Sequence, residues 1–209
     1  MKIYDISMTI KKDMQVYKNK EEKKPSVSIT SDYETGNHYE TKVFLDTHTG
    51  THFDAPLHMV KDGNTIENQN LYNCITKCKV FDLSNIEKEI TAEDIKDLDI
   101  KEDDFVIFKT KNSFEDEFNL EFVFLEKTAA KLLKDKKIKG IGIDALSVER
   151  SQEEHESHKA LLEDKWITVL EGLRLKDIAE GEYILCALPL KIEGIEGSPT
   201  RAVLIDSFI

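Results

Sequence analysis

The chain has 209 residues, 40% of them hydrophobic and 33% charged, and 41 Asp and Glu against 29 Lys and Arg leave a formal net charge of −12. This is the composition of a globular chain, not of a disordered or fibrous one, and an acidic surface of that size repels phosphate backbones, which argues against nucleic acid as a partner. The expected partners are a small molecule, a metal cation or a second copy of the chain.

Residues 1–10 mix Lys2, Asp5 and Ser7 into their apolar residues and lead into no signal-peptide core. The longest apolar run, residues 183–190, falls far short of the ~18 residues that a spanning helix needs. A cytoplasmic protein without a membrane segment is expected. Cys74, Cys78 and Cys186 lack CxxC spacing and read as free thiols of a reducing compartment, and a Cys74/Cys78 metal pair has no second pair to complete it. Its 9 Gly and 4 Pro are scattered and no repeat appears, so one domain over residues 1–209 is the expected organisation.

In chain order, residues 3–6 read as a strand, residues 18–24 as a solvated, charge-rich loop, and residues 27–32 and 39–45 as two further strands. Buried strands with β-branched or aromatic residues are expected at 80–83, 105–110, 141–144, 183–187 and 202–208. Helices lie between them. Thr91 N-caps a short one with acidic residues in its first turn, and residues 126–137 form another, with Ala129, Leu132 and Leu133 on one face and Lys139-Gly140 ending it. Residues 158–162 open a third. This alternation predicts an α/β fold.

Three of the chain's 6 histidines fall within His48-Thr49-Gly50-Thr51-His52-Phe53-Asp54-Ala55-Pro56-Leu57-His58. His and Asp at short spacings are the ligand types of borderline divalent cations such as zinc. Gly50 and Pro56 argue against a regular helix through these positions, so the segment is not a helical zinc motif. Positions 48, 52, 54 and 58 are all even and would share one face of a strand, yet an extended stretch of that length spans ~33 Å, and ligands of one ion must meet within ~2 Å of it. The segment therefore has to bend, at Gly50 and at Pro56. His52 and Asp54 reach one ion as neighbours on a strand face, His48 folds back at Gly50, and His58, beyond Pro56, stands off the ion as a proton shuttle.

These residues resemble the HxGTHxDxPxH signature of the metal-dependent cyclase family, which includes bacterial kynurenine formamidases (arylformamidases) and isatin hydrolases. The resemblance extends to Ile3-Tyr4-Asp5-Ile6-Ser7, to Gly142-Ile143-Asp144-Ala145-Leu146-Ser147, to His158-Lys159-Ala160-Leu161-Leu162 with Glu171-Gly172-Leu173, and to a closing hairpin through Pro189 and Pro199. It implies a swivelling β/β/α fold with mixed sheets and flanking helices, a homodimer or higher homo-oligomer, and one or two ions, Zn2+ first and Mn2+ as the alternative. It implies His48, His52, Asp54, His158 and Glu171 as ligands and His58 as catalytic base and acid. His155 is the rival of His158. Residues 13–19 depart from the family's Pro-rich turn and keep only the aromatic Tyr17, and the interval from His158 to Glu171 is slightly long near residues 164–166.

Three other residues carry open readings. Asp144 either orients a ligand histidine or caps a turn, Arg201 holds either a carboxylate or a structural ion pair, and His38 reads as a loop residue. The expected activity is metal-dependent hydrolysis of a non-peptide amide C–N bond, first an aryl formamide of the N-formylkynurenine type, by a water that the metal acidifies. Ring opening of a cyclic amide or lactone is the alternative. A non-catalytic metal-binding protein is the alternative of another class, opposed by the absence of cysteine from the ligand set.

Overall fold

A computed structural model describes residues 1–163 and 166–206. Its strands are β1 (Ile3–Asp5), β2 (Ser26–Ser31), β3 (Glu40–Phe44), β4 (His52–Asp54), β5 (Ile75–Asp82), β6 (Glu89–Ile90), β7 (Phe105–Lys109), β8 (Phe124–Leu125), β9 (Gly140–Ile143), β10 (Thr168–Glu171), β11 (Gly181–Pro189) and β12 (Gly197–Ile205). The α-helices are α1 (Leu71–Cys74), α2 (Ala92–Ile95), α3 (Lys127–Asp135) and α4 (Glu156–Leu162).

The main sheet runs β1-β12-β11-β5-β7-β9-β10-β4, and β4 also pairs with β12, which closes the sheet into a barrel. Strands β5, β7, β9 and β10 are mutually parallel, whereas β11, β12 and β4 add antiparallel pairs. The fold is mixed α/β, as the strand and helix alternation predicts. The two faces of β7 show what holds it. Phe105 and Ile107 pack inside the barrel with Phe53, Leu170, Leu185 and Leu204, while Val106 and Phe108 pack outward against Ala129, Leu133 and Leu161 of the helices. A strand buried on both faces gains from every apolar residue, which is why β7 is a continuous apolar run without polar alternation.

Several boundaries differ from expectation. Ile6 and Leu83 lie just outside β1 and β5. The end of the expected 202–208 strand lies outside the described residues, as do residues 164 and 165 of the interval between His158 and Glu171. Helix α3 is not ended by Gly140, which is already in β9. The left-handed residue after the helix is Lys137, at φ 58°. Gly140 serves packing instead, since a Cβ there would sit 2.3 Å from the Phe105 ring. The Thr91 cap is present as a capping box with Asp94.

Among the described residues, β2 and β3 pair only with each other and leave Val27, Ile29, Val43 and Phe44 exposed. Residues 18–24 are not simply a solvated loop. They form two short 3-10 turns, Tyr17–Asn19 and Glu21–Lys23, that contribute Tyr17, Lys18, Lys20 and Lys23 to the lining of the cavity described next.

Candidate metal centre

Strand β4 is the site's foundation because it is paired on both edges, with Glu171 of β10 opposite His52 and with Gly197 of β12 opposite Asp54. The pleat turns His52 and Asp54 to one side, and both are completely buried. The chain reverses just before β4 at Gly50, in the left-handed region at φ 65°. Thr51 clamps the reversal by donating to the Gly172 carbonyl at 2.7 Å and accepting from the Met8 N–H at 2.8 Å. Gly172, at φ 70°, lies so close that a Cβ would be 2.2 Å from the Gly50 oxygen. This backbone contact sets Glu171 beside His52. Pro56 opens the turn Pro56–His58, which carries His58 back over the strand end, and α4 delivers His158 from the other side.

The five expected ligands converge. His52 Nε2 lies 3.2 Å from Glu171 Oε2 and 3.6 Å from Asp54 Oδ1. His158 Nε2 lies 3.4 Å from both Asp54 Oδ2 and Glu171 Oε1, and His48 Nδ1 lies 2.9 Å from Asp54 Oδ1. Two overlapping triads, His48/Asp54/His58 and His52/Asp54/Glu171, each offer ligand atoms within 4.8 Å of one another, with Asp54 common to both. His58 lies against them, its ring centroid 4.2 Å from that of His48 and 5.5 Å from that of His158.

The hydrogen bonds around the cluster set its tautomers. A carbonyl oxygen only accepts, so His52 Nδ1 must donate to Gly50 O at 2.9 Å, which leaves Nε2 with its lone pair facing the cluster. His158 Nδ1 meets Glu149 Oε2 at 2.6 Å, which frees its Nε2 in the same way. The result is a set of buried atoms, His48 Nε2, His52 Nε2, His158 Nε2 and both Asp54 carboxylate oxygens, without a hydrogen-bond partner. Buried acceptors without donors are costly, and a divalent cation is the group that satisfies nitrogen and carboxylate lone pairs together. The residues fit a metal ion.

Charge in the metal-free site is distributed accordingly. Burial opposes the Asp54 carboxylate, but the His158 and His48 rings against it outweigh burial and hold its pKa well below the usual range. Burial likewise opposes a charge on His48, yet the adjacent Asp54 and Glu196 carboxylates raise its pKa to about 10. His158 is raised against burial by Asp54, Glu149 and Glu171. His58 goes the other way: burial lowers its pKa, so it is neutral at pH 7.

Above the cluster opens a cavity of about 440 Å³, walled by Val16, Tyr17, Met59 and Leu146 and reaching His48, His52, His58, His158 and Glu171 at its floor. His155 stays outside the groups that contain Asp54, although Glu149, His155 and His158 form a third group with ligand atoms within 4.8 Å of one another. It sits at the start of α4 in the left-handed region, φ 49°, half exposed, and hydrogen-bonds Glu149 at 3.0 Å. Asp144 is buried away from the centre and accepts from Thr110 and Ser113, which is the turn-capping reading. Arg201 pairs with Asp5 on the surface, and the exposed His38 ring meets Asn37 and Glu40. Cys74, Cys78 and Cys186 are free thiols. Sequence reasoning missed Glu149 and Glu196, which hold His158 and His48. Glu149 stands in an acidic stretch with Glu153, Glu154 and Glu156, and no spacing marks it among them.

A closed mixed sheet with a buried His/Asp/Glu centre at the base of an open cavity defines a protein that can hold a metal ion against a small molecule. The Cyclase family model matches residues 4–150, and the chain belongs to that family. It is similar to the kynurenine formamidase of Salinibacter ruber, 37% identical over 166 residues that cover 78% of each chain. It is also similar to cyclase-like protein 2 of Arabidopsis thaliana, 34% identical over an alignment of 219 residues covering 98% of this chain and 79% of the relative. A solved structure described as a "predicted metal-dependent hydrolase" from Bacillus stearothermophilus has a TM-score of 0.91 at 48% identity, covering 99% of this chain and 98% of that one. Isatin hydrolase A from Labrenzia aggregata shares the fold, with a TM-score of 0.82 at 24% identity and coverage of 99% and 94%. Among the described residues, no helix is long and apolar enough to cross a membrane.

Proposed function

We propose that the chain is a metal-dependent hydrolase that cleaves a non-peptide amide C–N bond, with an aryl formamide of the N-formylkynurenine type as substrate. The observation that carries this reading is the set of buried, unpartnered ligand atoms at the floor of an open cavity, with a neutral histidine beside them. His48, His52, Asp54, His158 and Glu171 would hold one or two ions, Zn2+ ahead of Mn2+, with Asp54 shared between the triads. Such a cation supplies Lewis-acid polarisation of the amide carbonyl and acidifies a water molecule.

The chain's own residues do the rest. Glu149 and the Gly50 carbonyl hold His158 and His52 in the tautomers that keep both Nε2 lone pairs available. His58 takes the proton of the attacking water on a ring nitrogen and returns it to the departing aniline nitrogen, which its lowered pKa permits at pH 7. The apolar walls exclude water from the aryl body of the substrate.

We extend the proposal to one domain over residues 1–209, working in the cytoplasm as a homodimer or higher homo-oligomer. A non-catalytic zinc protein fits less well, because structural zinc is closed in by four ligands, often cysteines, whereas this centre faces a cavity. The test is a panel of N-formylkynurenine, isatin and aryl esters on metal-reconstituted protein, compared by kcat/KM. Turnover of the formamide above the others supports the reading, preference for isatin replaces it with cyclic-amide opening, and tight zinc without turnover of any compound refutes the hydrolase.

A further inference from the structure

We propose that this cavity selects a substrate bearing a carboxylate at the end remote from the formamide, and that Lys18 and Lys20 bind it. The proposal deepens the hydrolase reading and rests on it for the identity of the reacting group. Although the chain carries a net charge of −12, three lysines of one short segment, Lys18, Lys20 and Lys23, line the same cavity. The acidic residues lining it are Asp46, Glu149 and Glu171, and each is already engaged. Asp46 takes Lys23 at 3.1 Å. Glu149 takes His155, His158 and the Ser157 N–H. Glu171 takes the two ligand histidines and the Val148 N–H.

Two ammonium groups are left over. Lys20 Nζ is 4.0 Å from Glu22, at the outer limit of an ion pair, and both side chains are largely exposed. Lys18 Nζ lies 5.4 Å from the Tyr17 ring centroid and has no carboxylate partner among the described residues. The turn that presents them is held in an unusual backbone. Lys18 and Asn19 are both left-handed, at φ 58° and 48°, which non-glycine residues adopt only where the surroundings over-determine them. The surroundings do so here: Met14 and Val16 are buried, the Tyr17 hydroxyl meets Ser151 Oγ at 3.0 Å, and the Tyr17 ring packs edgewise on Phe118 and Phe122.

The cavity is thus bipolar. Its lining joins the candidate ligand histidines and Glu171 to apolar side chains and to Lys18 and Lys20, of which Lys20 reaches only the exposed Glu22 at 4.0 Å. An aryl amide anchored at the floor by its carbonyl would present a distal carboxylate to the lysines, while a neutral cyclic amide leaves them unused. Uncommitted positive charge at the mouth of an acidic protein's cavity also draws anions in and repels cations.

The probes are 4-aminobenzoate and its neutral isostere 4-aminobenzamide, whose acid or amide lies across the ring from the amine, titrated by calorimetry into the zinc-loaded wild type, K18Q/K20Q and K18R/K20R. Metal affinity of each variant serves as the folding control. The wild type is expected to prefer the acid, the Gln variant to lose about tenfold of that preference, and the Arg variant to keep it, with the preference weakening as salt is raised. Acid binding that is unchanged in K18Q/K20Q assigns the carboxylate to the metal centre and overturns the proposal, as does a wild type that binds acid and amide equally. In parallel, kcat/KM for 4-formamidobenzoate against formanilide is measured. If neither is hydrolysed while the binding preference follows the lysines, the hydrolase reading fails and the anion subsite stands.

Discussion

Replacing Glu149 with Gln tests whether the second layer of the centre controls the first. The carboxylate is 2% exposed and accepts three hydrogen bonds: from His158 Nδ1 at 2.6 Å, His155 Nδ1 at 3.0 Å and the Ser157 N–H at 2.6 Å. Burial raises its pKa, but the His158 hydrogen bond and charge outweigh this, so it is ionised at neutral pH. A glutamine of the same shape offers one acceptor oxygen and an NH2 group that only donates, so it faces at least one of the three donors with another donor. One unsatisfied buried donor costs about 1–3 kcal/mol. His158 then loses the acceptor that fixes its tautomer, and loss of such a partner typically weakens metal binding by about 10–100-fold, or roughly 1.4–2.7 kcal/mol. The assay is zinc affinity by chelator competition, with the melting temperature of the metal-free protein recorded alongside. Zinc affinity within twofold of wild type would falsify the claim that Glu149 orients His158.

Three further outcomes follow from the same geometry. His52→Ala removes a fully buried ligand nitrogen and is expected to abolish most bound metal together with activity, so unchanged metal content by elemental analysis would remove His52 from the ligand set. His58→Ala should retain metal and lower kcat by about 10²–10⁴-fold, the range of general acid–base catalysis, and near-wild-type turnover would exclude it from the mechanism. The pKa of His48 in the metal-free protein is raised to about 10 and that of His158 is raised as well, so both carry protons at neutral pH that a cation must displace. Apparent metal affinity is therefore expected to rise with pH between 6 and 9, and a flat dependence in chelator competition would contradict the assigned shifts.

Much of the centre was legible in eleven residues because its determinants are local. The pleat alone sets His52 and Asp54 on one face, a left-handed Gly50 permits the reversal that returns His48, and Pro56 starts the turn that carries His58. His158 and Glu171 came from resemblance, not from any local pattern. Nothing near Glu171 shows that β10 lies beside β4, a pairing sealed by Thr51 and Gly172, 121 positions apart.

Closure of the barrel decided the remainder. Only when β12 takes an edge of β4 does Glu196 reach His48, and the lysines of residues 18–24, which look merely solvated in the sequence, line a cavity only in the folded chain. The candidate ligand types and the bends between them are encoded residue by residue, because donor chemistry and backbone freedom are properties of single residues. Which acid reaches His48, and which lysines line the cavity, depends on strands paired across most of the chain. That pairing is set by the burial of both faces of the sheet, a global balance that no short window of sequence contains.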